Sequence, residues 1–333
     1  MYSESDIDGA VQAGVLPIEA AAAFRDHVAH LRSAPAVDEE QFRLITGFND
    51  IFVSIALVLM LASIAWLGGT TFGGAGVFIT AWGLAEYFTR KRRMALPSIL
   101  LHLAFVGAVL ATVYGLPAFP SGTGRDGWRL VAALGTAALA SWLHWRRFKV
   151  PVTVAVLVGA ALGTLFALLI TVVPALQGHV AWMAFVAGAA VFAVAMAWDM
   201  SDPLRKTLRA DVAFWLHLLA SPLLVHSVFT GTGLAEGSGA MGYAAAVLAA
   251  YLLLAAVALV VDRRAMMVSA LAYVLFALTS LFKEFGLVNA SMALTALLIG
   301  SALLLLSAIW AQARAQLLRP LPTAWRGRLP PAA

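Results

Sequence analysis

The stretch ITAWGLAEYFTRKRRMALPSILLHLAF, residues 79–105, decides the fold. An apolar run ends in Arg90, Lys91, Arg92 and Arg93, and a second apolar run follows almost at once. Two helices that cross a bilayer in opposite senses need this arrangement. The basic turn stays on the cytoplasmic side while the apolar flanks enter the hydrocarbon.

The same alternation runs through the chain. Apolar segments of spanning length fall at 50–67, 72–89, 97–114, 128–145, 151–173, 179–198, 211–229, 241–261, 265–282 and 287–310. About 17–25 residues at 1.5 Å each cross the hydrocarbon. Backbone groups in lipid must be paired within the segment, so each run is predicted to be a helix. Basic residues cluster in every second connection: Arg90 to Arg93; Arg146, Arg147 and Lys149; Arg205, Lys206 and Arg209; Arg263 and Arg264; and the tail from Arg314 to Arg328. Of the 22 basic residues, only Arg125, Arg129 and Lys283 fall on the opposite side. The positive-inside rule then places both termini in the cytoplasm. The opposite connections, such as GGTTFGG and PALQGH, are short and rich in small residues.

Composition agrees. The chain is 62% hydrophobic and 12% charged, with mean hydropathy +0.89, where a soluble domain carries about 25% charged residues. The predicted fold class is all-α: a polytopic membrane helix bundle of about ten transmembrane helices with a small soluble N-terminal helical pair. Its expected parts are a cytoplasmic head and linker at 1–48, a bundle at 49–311 and a basic cytoplasmic tail at 312–333. The absence of cysteine excludes disulfides, thiol catalysis and thiolate metal sites. The net charge of +5 falls in the turns, which argues for membrane orientation and against nucleic acid. Abundant arginine and alanine suggest a high-GC bacterium, so the expected location is the bacterial inner membrane. MYSESDIDGAVQAG lacks the basic and apolar regions of a signal peptide, and the first span is expected to act as its own signal.

The opening residues read as two short helices. Ser5 is placed as a cap, with Asp8 three residues on and Gly14 as the stop. Pro17 suits the first turn of the second helix. Phe24, Val28 and Leu31 form one apolar stripe there, too small for an independent core. The stripe therefore needs the membrane surface, the bundle or a protein partner.

Polar residues inside the spans are the candidate pathway, because burying them in lipid is costly. They are Glu86, His102, His144, His217 and Ser221. Glu86 is placed to pair with Arg90 at i, i+4. His102 and His217 lie at similar depth in spans that run the same way, about 8–9 Å from the cytoplasmic end at 1.5 Å per residue. They could meet if those helices touch, with His144 joining them. Asp50 and Asp211 sit where carboxylates complement a helix N-terminus. Trp128, Trp145, Trp182, Trp198 and Trp310 lie near span ends, as in an aromatic belt. Gly159 and Gly163 allow close helix approach.

FWLHLLASPLLVHSVF, residues 214–229, holds two histidines that cannot share a ligand. Nine residues put His217 and His226 half a turn out of phase and about 13 Å apart along the axis. Pro222 should kink the helix and free the carbonyl of Leu218, and Ser221 could help satisfy that disturbance.

No metalloprotease, hydrolase, P-loop or dinucleotide-binding signature is present, so no catalytic, cofactor or metal residues are assigned and an enzyme is not expected. No half-to-half repeat is evident. Ala13, Gly14, Leu16, Glu19 and Ala20 fit the pattern xxAGxLxxExA. In this the first fifth of the chain resembles a group of uncharacterised bacterial predicted membrane proteins that open with a cytoplasmic helical pair. The resemblance implies a polytopic inner-membrane protein and supplies no site residue. The leading expectation is a small-molecule or ion transporter. The alternative is a membrane-embedded sensor or assembly factor whose head binds a partner.

Overall fold

A computed structural model describes residues 4–32, 48–116, 126–202, 205, 207–231, 239–286, 290–320, 322 and 329. Residues 1–41 and 42–332 form two compact units.

In the first unit, α1 (Glu4–Gln12) and α2 (Ile18–Arg32) are joined by a tight turn. Gly14 makes that turn with φ of +70°, a conformation only glycine adopts freely. Ser5 lies inside α1 and not at its cap, because the helix already starts at Glu4. Asp8 instead receives Arg25 Nη2 from α2 at 2.7 Å. Ala21 is buried and Phe24 is half exposed. The side chains of Val28 and Leu31 lie outside the described residues.

The second unit is helical throughout its described residues: α3 (Phe48–Gly68), α4 (Gly74–Ala85), α5 (Ala95–Tyr114), α6 (Asp126–Phe148), α7 (Val152–Val172), α8 (Val180–Ser201), α9 (Leu208–Gly231), α10 (Gly239–Val261), α11 (Ala265–Glu284) and α12 (Ser291–Leu318). Ten helices therefore match the ten predicted segments. Eight of the segments are long and apolar enough to cross a membrane by themselves. Segments two and four are the exceptions. The second is divided by π-helical turns at Gly69–Gly73 and Glu86–Lys91, which leave α4 only 12 residues long. The fourth, α6, has the length but carries Arg129, His144, Arg146 and Arg147, which dilute its apolar character. Both are held by packing: α4 lies along α5, and α6 lies between α5 and α7.

The bundle is lined inside with small residues and coated outside with large apolar ones. Ala81, Ala85, Ala133, Ala195, Ala213, Ala220, Ala258 and Ala277 are all fully buried. Trp66, Leu67 and Phe72 are more than four-fifths exposed. In water this would be a large aggregation-prone surface. In a bilayer it is the expected arrangement, because lipid tails solvate large side chains while small ones let backbones approach. The protein is thus a multi-pass membrane protein in contact with lipid.

Two groups of helices make up the bundle. In the first, α3 to α7 pack around Leu57, Ala81, Leu101, Phe105 and Ala137. In the second, α8 packs on α9, and α10 to α12 complete the group. α7 packs against α9 and joins the two. Gly159 of α7 lies against Leu219 of α9, and Gly163 lies against Leu134 of α6. The glycine pair therefore serves two neighbours.

Four turns share one device at the basic end. Arg93, Lys149, Arg205 and Asp262 each have φ between 52° and 62°. A left-handed residue reverses the chain tightly after a helix, at a cost of about 1–2 kcal/mol for a non-glycine side chain. Two of the four, Arg205 and Asp262, bond each other across the bundle.

Candidate functional site

Two buried polar clusters lie at the basic end. The first spans the helices of the second group. Asp199, near the end of α8, is 2% exposed and faces His217 of α9. The His217 Nε2 to Asp199 Oδ2 distance is 2.9 Å. Arg263, in the turn before α11, donates from Nε to Asp199 Oδ2 at 3.2 Å and from Nη2 to Oδ1. Its Nη2 also donates to the carbonyl of Ala210 at 3.0 Å. One carboxylate thus ties together α8, α9 and the α10–α11 turn.

The network continues through Asp262. Its Oδ1 accepts from Trp310 Nε1 at 2.9 Å, and its Oδ2 accepts from Arg205 Nη1 at 3.0 Å. Arg205 Nη2 also donates to the Asp262 carbonyl at 2.7 Å. Arg314 of α12 donates to the Leu259 carbonyl at 3.1 Å and lies 3.6 Å from Asp262. Buried guanidinium and carboxylate groups must be mutually satisfied, because an uncompensated one costs several kcal/mol. Here most of that compensation is visible atom by atom.

The second cluster lies among α4 to α7. His102 of α5 and His144 of α6 are fully buried, with ring centroids 4.5 Å apart. Trp82 meets His144 edge-on, and Phe105 and Phe148 pack on its ring. His144 Nδ1 lies 3.5 Å from Thr153 Oγ1 of α7. Both nitrogens of His102, Nε2 of His144 and the hydroxyl of Ser141 have no hydrogen-bond partner among the described residues. Buried polar atoms in that condition are rare and call for an explanation.

The predicted pathway residues therefore divide. His102 and His144 come together. His217 does not join them: α9 packs mainly on α7, α8 and α11, and His217 faces Asp199 and the ring of Phe192 instead. Ser221 does not repair its own helix. α9 stays helical through Pro222, and the Ser221 hydroxyl donates to the carbonyl of Met266 in α11 at 2.5 Å. A fully buried serine at a helix contact gains more by bonding across it. Glu86 pairs with Arg90 at 3.4 Å, but its better partner is Arg147 of α6, at 2.7 and 2.9 Å. Asp50 and Asp211 do lie in the first turns of α3 and α9. Trp310 is 2% exposed and bonded to Asp262, so it serves the network and not the lipid interface. His226 contacts the Tyr273 hydroxyl and is exposed.

Asp199, Asp262, Arg263 and Arg314 are the residues that sequence reasoning passed over, since each reads as a charge at the end of a span. One signal was available. Asp199, Asp202 and Asp262 lie next to the basic blocks Arg205–Arg209 and Arg263–Arg264, and a carboxylate at a span end there needs a partner.

Chemically, Asp199 orients His217. A carboxylate accepts, so Nε2 carries the hydrogen and Nδ1 is left with its lone pair. That buried Nδ1 has no hydrogen-bond partner among the described residues. No protein-family model, curated protein or solved structure matches the chain.

Proposed function

We propose that the protein is a bacterial inner-membrane transporter of a small molecule or ion, not an enzyme, with both termini cytoplasmic and the Asp199–His217 pair carrying the coupling proton. The observation behind this reading is the buried imidazole that Asp199 orients at 2.9 Å while Nδ1 keeps an unused lone pair. A proton taken at Nδ1 makes an imidazolium. Asp199 then answers two cations, His217 and Arg263, in a site shielded from water. The imidazolium holds Asp199 more tightly and repels Arg263, which weakens the grip of the α10–α11 turn on α8. A buried network with two protonation states and three attached elements is a natural two-state device. The basic turns support the orientation.

The test uses purified protein in liposomes that carry an internal pH dye and an imposed pH gradient. A panel of amino acids, carboxylates, sugars and metal cations is added outside. One class should trigger proton movement, and Asp199→Asn and His217→Ala should abolish it. A silent panel with folded wild-type protein rejects the transport reading.

A second reading, a sensor or assembly factor, draws on the head, where Val15, Ile18 and Phe24 are exposed. This apolar surface on a separate unit suits a protein partner. Full cellular function after deletion of residues 1–41, with nothing crosslinked to the head, rejects it.

A further inference from the structure

A cleft of about 520 Å³ opens at the basic end between the first helix group and α9, and neither Asp199, His217 nor Arg263 lines it. Arg90, Arg93, Arg147 and Lys149 all line it. Glu86 bonds Arg147 through Nε and Nη2 and touches Arg90, which leaves Nη1 of Arg147 outside that pair. Arg93 and Lys149 are the left-handed residues of their turns, with φ of 53° and 56°. Arg93 precedes α5 and Lys149 precedes α7 in these turns, and the Lys149 ammonium also packs over the Trp145 ring.

Helix ends reinforce the charge. Ala95, Val152 and Leu208, the first residues of α5, α7 and α9, all lie in the cleft wall. Three positive dipole ends therefore gather at one place, where an anion is stabilised.

An independent observation comes from Thr89. It lines the same cleft, is only 8% exposed, and its hydroxyl has no hydrogen-bond partner among the described residues. Threonine in a helix usually bonds the carbonyl one turn back, as Thr112, Thr164 and Thr171 do here. Thr89 sits in the π-helical turn Glu86–Lys91, where the wider winding changes that geometry. Its hydroxyl is a buried donor in a cationic cleft.

We propose that this cleft binds a phosphate group, held by Arg90, Arg93, Arg147 and Lys149 with a hydrogen bond from Thr89. A phosphate offers several strong acceptor oxygens and negative charge, which match guanidinium forks, an ammonium and a hydroxyl together. The group can belong to a free anion or to the headgroup of an anionic lipid. The site stands whether or not Asp199 and His217 carry protons.

The experiment has two arms, both on the full-length protein. In the first, radiolabelled inorganic phosphate is dialysed to equilibrium against detergent-solubilised protein. In the second, nanodiscs of phosphatidylcholine are doped with phosphatidylglycerol, and lipid retained on the protein is measured by native mass spectrometry. Saturable binding is expected in at least one arm, and the arm that saturates identifies the source. The double variant Arg93→Asn, Lys149→Asn should weaken it at least about tenfold, since asparagine tolerates the left-handed turn but carries no charge. Thr89→Val keeps every charge and should weaken binding several-fold, which decides the matter if the double variant does not fold. Arg146→Gln removes a cation that packs over Trp142 outside the cleft and should change nothing. The proposal is overturned by an absence of saturable binding in both arms, by an equal loss in Arg146→Gln, or by no loss in Thr89→Val.

Discussion

His217 and Asp199 meet at 2.9 Å across the contact between α8 and α9, and Arg263 closes on the same carboxylate from the turn before α11. The pair is 18 positions apart in sequence and the arginine is 64 positions from Asp199.

Breaking this cluster from one side should be costly. Asp199→Leu and Arg263→Met should each destabilise the protein by about 3–5 kcal/mol, because each strands a buried charge. The double variant should lose less than the sum, since no unpaired ion is left from the pair. Chemical unfolding in mixed micelles, followed by tryptophan fluorescence, measures all three. Strict additivity would show that the two side chains are not coupled.

The histidine pair of the first group should behave in the opposite way. His102 brings two nitrogens without a partner among the described residues into a fully buried site, so His102→Leu should leave stability unchanged or raise it by about 1 kcal/mol. Its imidazole then costs stability in the resting protein. The same unfolding measurement applies, and a loss of several kcal/mol would mean that the imidazole is already well bonded. His102 and His144 were legible as candidates because polar residues stand out in apolar runs. Their meeting was not, because span depth alone does not say which helices touch.

Close packing at α4 gives a sharp contrast between two glycines. A side chain at Gly74 would run into Thr112 of α5, whereas a methyl at Gly83 meets nothing within 4 Å. Gly74→Leu should cost at least about 1–3 kcal/mol by overpacking, while Gly83→Ala should be neutral or slightly stabilising. Thermal unfolding of the purified variants separates them, and equal effects would argue against the α4–α5 contact.

Topology can be read directly, because the chain has no cysteine. Gln177→Cys lies in the loop between α7 and α8, and Lys91→Cys lies in the basic turn before α5. In intact cells with accessible periplasm, a membrane-impermeant maleimide should label the first alone. Lys91→Cys should react only after the membrane is opened. The reverse pattern would invert the orientation.

A smaller effect is expected at Ser221. Ser221→Ala removes the hydrogen bond from α9 to the Met266 carbonyl and should cost about 0.5–1.5 kcal/mol. Unfolding in mixed micelles detects this, and no change would show that the bond adds nothing across that helix contact.

The sequence by itself determined the all-helical class, the order of the apolar segments and the basic turns between them. These are local properties: a helix in lipid satisfies its own backbone, and about twenty neighbouring residues decide whether it can cross. It also singled out His102, His144, His217, Ser221 and Glu86 as polar residues in apolar surroundings. Only the tertiary structure decided their partners. Arg147 reaches Glu86 across 61 positions, Ser221 finds Met266 across 45, and Asp199 gathers His217 and Arg263 from two other elements. An ion pair needs atoms within about 4 Å, and in a helix bundle that proximity depends on which faces pack, which single-segment periodicity does not encode.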